Sequence, residues 1–331
     1  MKDKRLYFIF GSALSLVFLI WSISSCSDGK TNEKDPNKVV TPAMPDLPVP
    51  DFKADSAYAF IQKQVDFGPR VPNTGPHIEC GIWLENKLRQ YGAQVQTQEA
   101  LVNAFDGTPL RMKNIIASYQ PEKANRILLT AHWDTRPFAD EDTERRNEPI
   151  LGANDGASGV GVLLEMARLF QTEMPRIGVD IILWDAEDYG QSGIDNSYCL
   201  GSQYWAKKKH KANYQARYGI NLDMVGAEGA IFPKEGFSMQ YASNVVTKIW
   251  STGQRLGYGA FFSSQRVPGI IDDHVYMNSP AGIKSVDIIH LELGGGFFEH
   301  WHTHGDNMEA ISVKTLKAVG QTLAEVVYKE Q

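Results

Sequence analysis

The residues best suited to chemistry are acidic side chains and histidines that recur in short clusters. WDAEDYG sets Asp185, Glu187 and Asp188 directly after the apolar run GVDIILW. Carboxylates that close repel and raise one another's pKa, so such a group is either well hydrated or held by a cation. HWD follows the run NRILLTA and places His132 and Asp134 two apart, on one face if the strand continues. GANDGASG puts Asp155 just before a long helical pattern, ARYGINL ends in Asp223, and WHTHGDN carries His302 and His304.

Each motif also has a plain structural reading. A strand-end His-x-Asp can be hydrogen-bonded framework, Asp155 can cap a helix through the first-turn amides, and HWHTH can be a solvated loop. What separates the readings is whether the motifs meet. The runs NRILLTA, GVDIILW, ARYGINLDM and SVDIIHLEL resemble strands buried on both faces, with helical patterns between most of them. The clearest helices are ASGVGVLLEMARLFQ, MQYASNVVTKIWSTGQRLG and SVKTLKAVGQTLAEVVYKE. Upstream, DSAYAFIQKQVDF and HIECGIWLENKLRQYG have helical spacing, and AQVQTQEALV alternates like a strand.

This alternation predicts an α/β fold: a mixed, mainly parallel central sheet with helices on both faces, in three layers. In such a sheet ligands collect outside the carboxyl ends of the strands, which is where all of these motifs fall. Carboxylates gathered there repel unless a cation compensates them, and mixed His and carboxylate ligands favour zinc. Competing chemistries find no support, since the chain has no G-x-S-x-G elbow, Walker loop, G-x-G-x-x-G or H-E-x-x-H.

With 331 residues, 43% apolar and 22% charged, the chain has material for a sizeable core. A formal net charge of −6 argues against a nucleic-acid binder, since phosphate binding leans on clustered Lys and Arg that the chain does not show. MKDKR and the apolar run that follows read as a signal peptide over residues 1–25. Its end, ISSCS, resembles a bacterial lipobox, so Cys26 is expected to carry lipid and hold an exported protein at the membrane of a bacterial envelope, facing the periplasm. Residues 26–51, rich in Lys, Asp, Asn and Pro, form the expected flexible spacer, and residues 52–331 a single catalytic domain. Cys80 and Cys199 could form one bridge in an oxidising compartment, a pairing the sequence leaves open, and the protein is expected to be a monomer.

The ordered set HWD, GANDGASG, WDAEDYG, NLDMVGA, IIDDHVY and WHTHGDN resembles the zinc-dependent aminopeptidase-like superfamily over residues 52–331. Within it the chain is most similar to the animal-type glutaminyl cyclases and their bacterial relatives. WHTHGDN keeps the cyclase form W-H-T-x-x-D-N with Trp301 before the histidine, and DDH at Asp272 to His274 matches as well. The resemblance implies one zinc ion on Asp155, Asp188 and His302. Asp188 stands where animal cyclases carry a second Glu. It also implies that N-terminal glutaminyl residues of peptides and proteins become pyroglutamate with loss of ammonia.

By the same resemblance Glu187 moves protons, Asp223 and Asp273 form a hydrogen-bonded acidic pair, and Trp301 walls the substrate pocket. Asp185, His274 and His304 are expected to be structural, Asp185 binding backbone or His132. The loops CLGSQYW, IFPKEGF and ELGGGFFEHW are expected to form the rim. A two-zinc aminopeptidase is the alternative, because His132 and Asp223 stand where that branch of the superfamily holds its second metal.

Overall fold

In the computed structural model of the chain, residues 47–292 and 294–331 are described. The expected signal peptide, Cys26 and most of the spacer lie outside them. Helices α1 (Ala54–Val65) and α2 (Gly75–Gln90) lead into strands β1 (Gln94–Asn103), β2 (Pro109–Tyr119) and β3 (Arg126–His132). Then follow α3 (Ala157–Thr172), β4 (Gly178–Trp184), α4 (Leu200–Lys207), β5 (Gly219–Asp223) and β6 (Phe232–Lys234). The chain continues through α5 (Gly236–Arg255), β7 (Phe262–Arg266), α6 (Asp273–Asn278), β8 (Ser285–Ile289) and α7 (Val313–Tyr328).

Six strands form one sheet in the order β1-β2-β4-β3-β5-β8. From β4 to β8 every neighbour is parallel, while β1–β2 and β2–β4 are antiparallel. The mixed, mainly parallel sheet expected from the apolar runs is therefore present. Strands β3 and β4 are buried at every position, because successive residues face opposite layers and both layers are apolar. Ile127, Leu129 and Ala131 join the core formed with α1, α3, α5 and α7; Leu128 and Ile182 join Trp205 of α4 and Met277 of α6 on the other side.

Strand β2, between edge strand β1 and β4, is not among the strands expected from the sequence. Its first half alternates exposed and buried residues around Arg111 and Lys113, and only its second half is wholly buried. Residues 47–51, the last of the expected spacer, run against α7: Gln321 donates to the Pro50 carbonyl and Lys317 pairs with Asp51. No helix among the described residues is long and apolar enough to cross a membrane.

Helix α3 approaches the sheet closely because it begins with small residues. A Cβ on Gly159 would stand 2.4 Å from the Leu222 carbonyl oxygen and 2.8 Å from Ala131 Cβ. That contact presses the start of α3 onto the ends of β3 and β5, and so delivers Asp155 to the carboxyl edge.

Candidate metal centre

Strands β3 and β4 end in register, with His132 opposite Trp184, and Asp223 closes β5 on the same edge. Among the clusters of potential ligands here, two are built around Asp155. In one, Asp155, Asp188 and His302 each offer a ligand atom, all within 4.8 Å of one another. His302 Nε2 lies 3.3 Å from Asp188 Oδ1 and 4.0 Å from Asp155 Oδ2. In the other, His132 Nε2 lies 2.9 Å from Asp155 Oδ1 and 3.4 Å from Asp223 Oδ1. Asp155 belongs to both.

The residues fit a divalent cation. His132, Asp188 and His302 are each 2% exposed, and Asp155 3%. Among the described residues, Asp188 Oδ2, Asp223 Oδ1 and both His132 ring nitrogens are buried without a hydrogen-bond partner. Leaving such atoms unsatisfied is costly, and a cation between them supplies the missing partner. The nitrogen and oxygen donor set suits zinc.

The framework that presents these ligands is itself carboxylate-rich. Asp134 accepts from the amides of Glu187 and Asp188 at 3.0 and 3.2 Å, fixing the loop after β4. Asp306 accepts from Asn154 and Asp155 at 2.7 and 3.0 Å, fixing the loop before α3. Asp185 accepts from the amides of Lys113 and Ala186 at 2.6 and 2.8 Å and from His77 Nε2 at 2.8 Å. It is thus structural, as expected, but its histidine is His77 rather than His132. Three residues here take left-handed backbone without being glycine: Ala186 after Asp185 (φ 53°), Met224 after Asp223 (φ 47°) and His302 itself (φ 55°). Such strain persists only where surrounding contacts over-determine it.

Glycine is also required beside the shared ligand Asp155. A Cβ on Gly156 would meet the His132 carbonyl oxygen at 2.5 Å and the His132 ring at 2.6 Å.

Glu187 stands at the junction of the clusters, with Oε2 4.0 Å from His132 Nδ1 and Oε1 accepting from the Cys199 thiol at 3.2 Å. Burial pushes its carboxyl well above the ordinary range; His132 opposes this, and Asp188 and Asp273 add to it. Burial also raises Asp223 to about 7, against the pull of His132 and with that of Asp155.

Both clusters border a cavity of about 400 Å³. Its polar floor holds Asp155, Glu187, Asp188, Asp223, Asp272 and His302, and its apolar wall includes Met224, Ile270, Ile289, Phe297 and Trp301. Trp301 stacks between Phe297 and His302, at ring-centroid distances of 4.3 and 3.6 Å. Trp301 thus lines the cavity, and of the expected rim segments only the one carrying Phe297 and Trp301 does so. CLGSQYW is largely α4 and IFPKEGF is β6 with the start of α5; residues 191–198 and 270–272 line the cavity instead.

Asp273 requires a correction. It is wholly buried, does not line the cavity, and its two oxygens make no hydrogen bond, so the expected Asp223–Asp273 pair is not formed. Two ionised carboxylates are acceptors only and cannot bond without a shared proton. Asp272, which caps α6 and accepts from Asn221 Nδ2 at 3.1 Å, faces the cavity in its place. His274 and His304 hold structural positions. His274 Nε2 lies 3.1 Å from Glu235 Oε2, and the His304 amide donates to Asp142 at 2.8 Å. Cys80 and Cys199 are both free and buried.

Comparison with known proteins places this site in a family. The solved Bacteroides thetaiotaomicron glutaminyl cyclase bound to N-acetylhistamine is 51% identical, with a TM-score of 0.83, covering 86% of this chain and 100% of that one. A solved Zn-dependent exopeptidase from Parabacteroides distasonis is 49% identical, with a TM-score of 0.84, covering 86% of this chain and all of that one. Aminopeptidase YwaD of Bacillus subtilis is 27% identical over 79% of this chain. The alignment takes in 54% of YwaD, so the chain spans about half its length. Residues 114–327 match the model of Peptidase family M28, and the chain belongs to that family.

Proposed function

We propose that the chain is a zinc-dependent glutaminyl cyclase, converting N-terminal glutaminyl residues of peptides to pyroglutamate with release of ammonia. The observation that carries this reading is the match, at 51% identity, of 86% of this chain to the whole of the Bacteroides cyclase. Residues 52–331 are the catalytic domain. Asp155, Asp188 and His302 hold one zinc ion, which when bound supplies Lewis acidity toward the γ-carbonyl oxygen of the substrate.

The protein's own groups manage protons and position. The substrate's α-amine is the nucleophile, so no water need be activated. Glu187, beside Asp188 and partly buried, takes a proton from the attacking amine and returns it to the departing nitrogen. Its raised proton affinity suits both directions of that transfer. Asp223 and Asp272, both on the cavity floor, flank the reacting carbon and serve as the acidic pair in place of Asp223 and Asp273. Trp301 and Phe297 exclude water from one side. At the N-terminus, residues 1–25 direct export, and Cys26 carries the lipid that holds a monomer at the envelope membrane. The ISSCS motif supports this part of the proposal.

One observation favours a second reading. The His132–Asp155–Asp223 cluster is formed, which is the residue set a two-zinc aminopeptidase would use. Chelation followed by metal return tests the first reading: ammonia release from a Gln-initiated peptide should stop on zinc removal and recover with one equivalent. Recovery only after two equivalents would favour the peptidase.

A further inference from the structure

Two side chains with no part in proton transfer touch both outer ligands of the proposed zinc site. Arg136, 1% exposed, donates through Nε and Nη2 to the two oxygens of Asp140 at 2.6 and 2.7 Å. Its Nη1 donates to Asp188 Oδ1 at 3.3 Å and to the carbonyls of Asp188 and Gly190 at 3.0 and 3.2 Å. Asp140 Oδ1 in turn lies 3.1 Å from His302 Nδ1, the ring nitrogen opposite the one that faces Asp188. The same loop holds His302 through backbone, since the Glu141 amide donates to the His302 carbonyl at 3.3 Å.

The consequence is a closed chain of contacts from Asp188 through Arg136 and Asp140 to His302. A carboxylate on the far nitrogen of a metal-binding histidine fixes ring orientation and tautomer and raises its basicity. A planar guanidinium that grips two partners at once fixes their relative geometry as well.

The neighbouring cluster is held less closely. His132 Nδ1 lies 3.6 Å from its nearest acid, Asp134 Oδ1, against 3.1 Å between His302 Nδ1 and Asp140, and both Asp134 oxygens are already engaged by backbone amides.

We infer that Arg136 and Asp140 are positioning residues that make Asp155–Asp188–His302 the tight metal site and leave His132–Asp155–Asp223 the weak one. The inference rests on the zinc reading above.

The test is zinc transfer from the full chain to a chromogenic chelator, for wild type, Asp140→Ala, Asp140→Asn, Arg136→Lys and Asp223→Asn, with melting temperatures of the zinc-free forms alongside. Asp140→Ala and Arg136→Lys should lower zinc affinity about 10–100-fold. Asp140→Asn, which still accepts from His302, should recover part of the loss, and Asp223→Asn should bind as wild type. Wild-type affinity in well-folded Asp140→Ala or Arg136→Lys would overturn the inference. So would a loss that tracks only the melting temperature. A wild-type chain that takes up no zinc would instead overturn the zinc reading itself, and the inference with it.

Discussion

The two acidic clusters share Asp155 and are built from the same residue types, yet they differ in what stands around them. Asp188 and His302 are backed by Arg136 and Asp140 and lie against the Trp301 wall of the cavity. His132 and Asp223 are backed mainly by backbone and by other carboxylates. If the proposed role of Arg136 and Asp140 holds, the outer partners rather than the shared list of candidate residues decide which cluster binds metal tightly.

Mutation of one histidine in each cluster tests this contrast with the largest expected effect. His302→Ala should lose zinc and turnover together, whereas His132→Ala should keep one equivalent by metal analysis. Equal loss from both variants would merge the clusters into one binuclear site. Glu187→Gln should keep zinc and fold and lower kcat by about 10²–10⁴-fold, the usual worth of general acid–base assistance. A near wild-type rate in steady-state assays would remove Glu187 from proton transfer.

Gly156→Ala sharpens the contrast from the shared ligand, because its Cβ would press on the His132 carbonyl and ring. Overpacking of this kind costs about 1–3 kcal/mol, read as a lower melting temperature. His132 should move before His302 does, so zinc affinity should change less than stability. Full wild-type stability would show that the loop gives way freely.

A carboxylate outside both clusters supplies the smallest effect. Burial alone would raise Glu235, but the His274 hydrogen bond and charge and the amides of Ser238 and Phe237 bring it down to about 2 from 4.5. A depressed carboxyl stabilises the fold fully above its unfolded pKa and loses that contribution as pH falls through the folded value. The wild type should therefore lose stability between about pH 4.5 and 2 relative to Glu235→Gln, in denaturant titrations at each pH. Parallel curves would remove Glu235 from the acid response.

The apolar runs made the parallel half of the sheet legible, and the acids at their ends located the site. Strand β2 was less legible because it changes pattern midway, from alternating exposed and buried residues around Arg111 and Lys113 to a wholly buried second half. Asp272 and Asp273 are adjacent and alike in sequence, and only the helix that starts between them turns one to the cavity and buries the other. Arg136 and Asp140 lie in a loop with no periodicity, and their partner His302 is more than a hundred residues away. His77 likewise reaches Asp185 across 108 positions. Pairings of this kind are set by the fold and leave no local mark.

Conversion of an N-terminal glutaminyl residue to pyroglutamate is the central proposal. Incubation of the zinc-loaded chain with a Gln-initiated peptide and, separately, a Leu-initiated one, followed by mass spectrometry, tests it most directly. Loss of one ammonia from the Gln peptide, faster than its spontaneous cyclisation, with the Leu peptide intact, is the predicted result. Removal of the first residue from either peptide would contradict it and assign His132 and Asp223 to a second zinc.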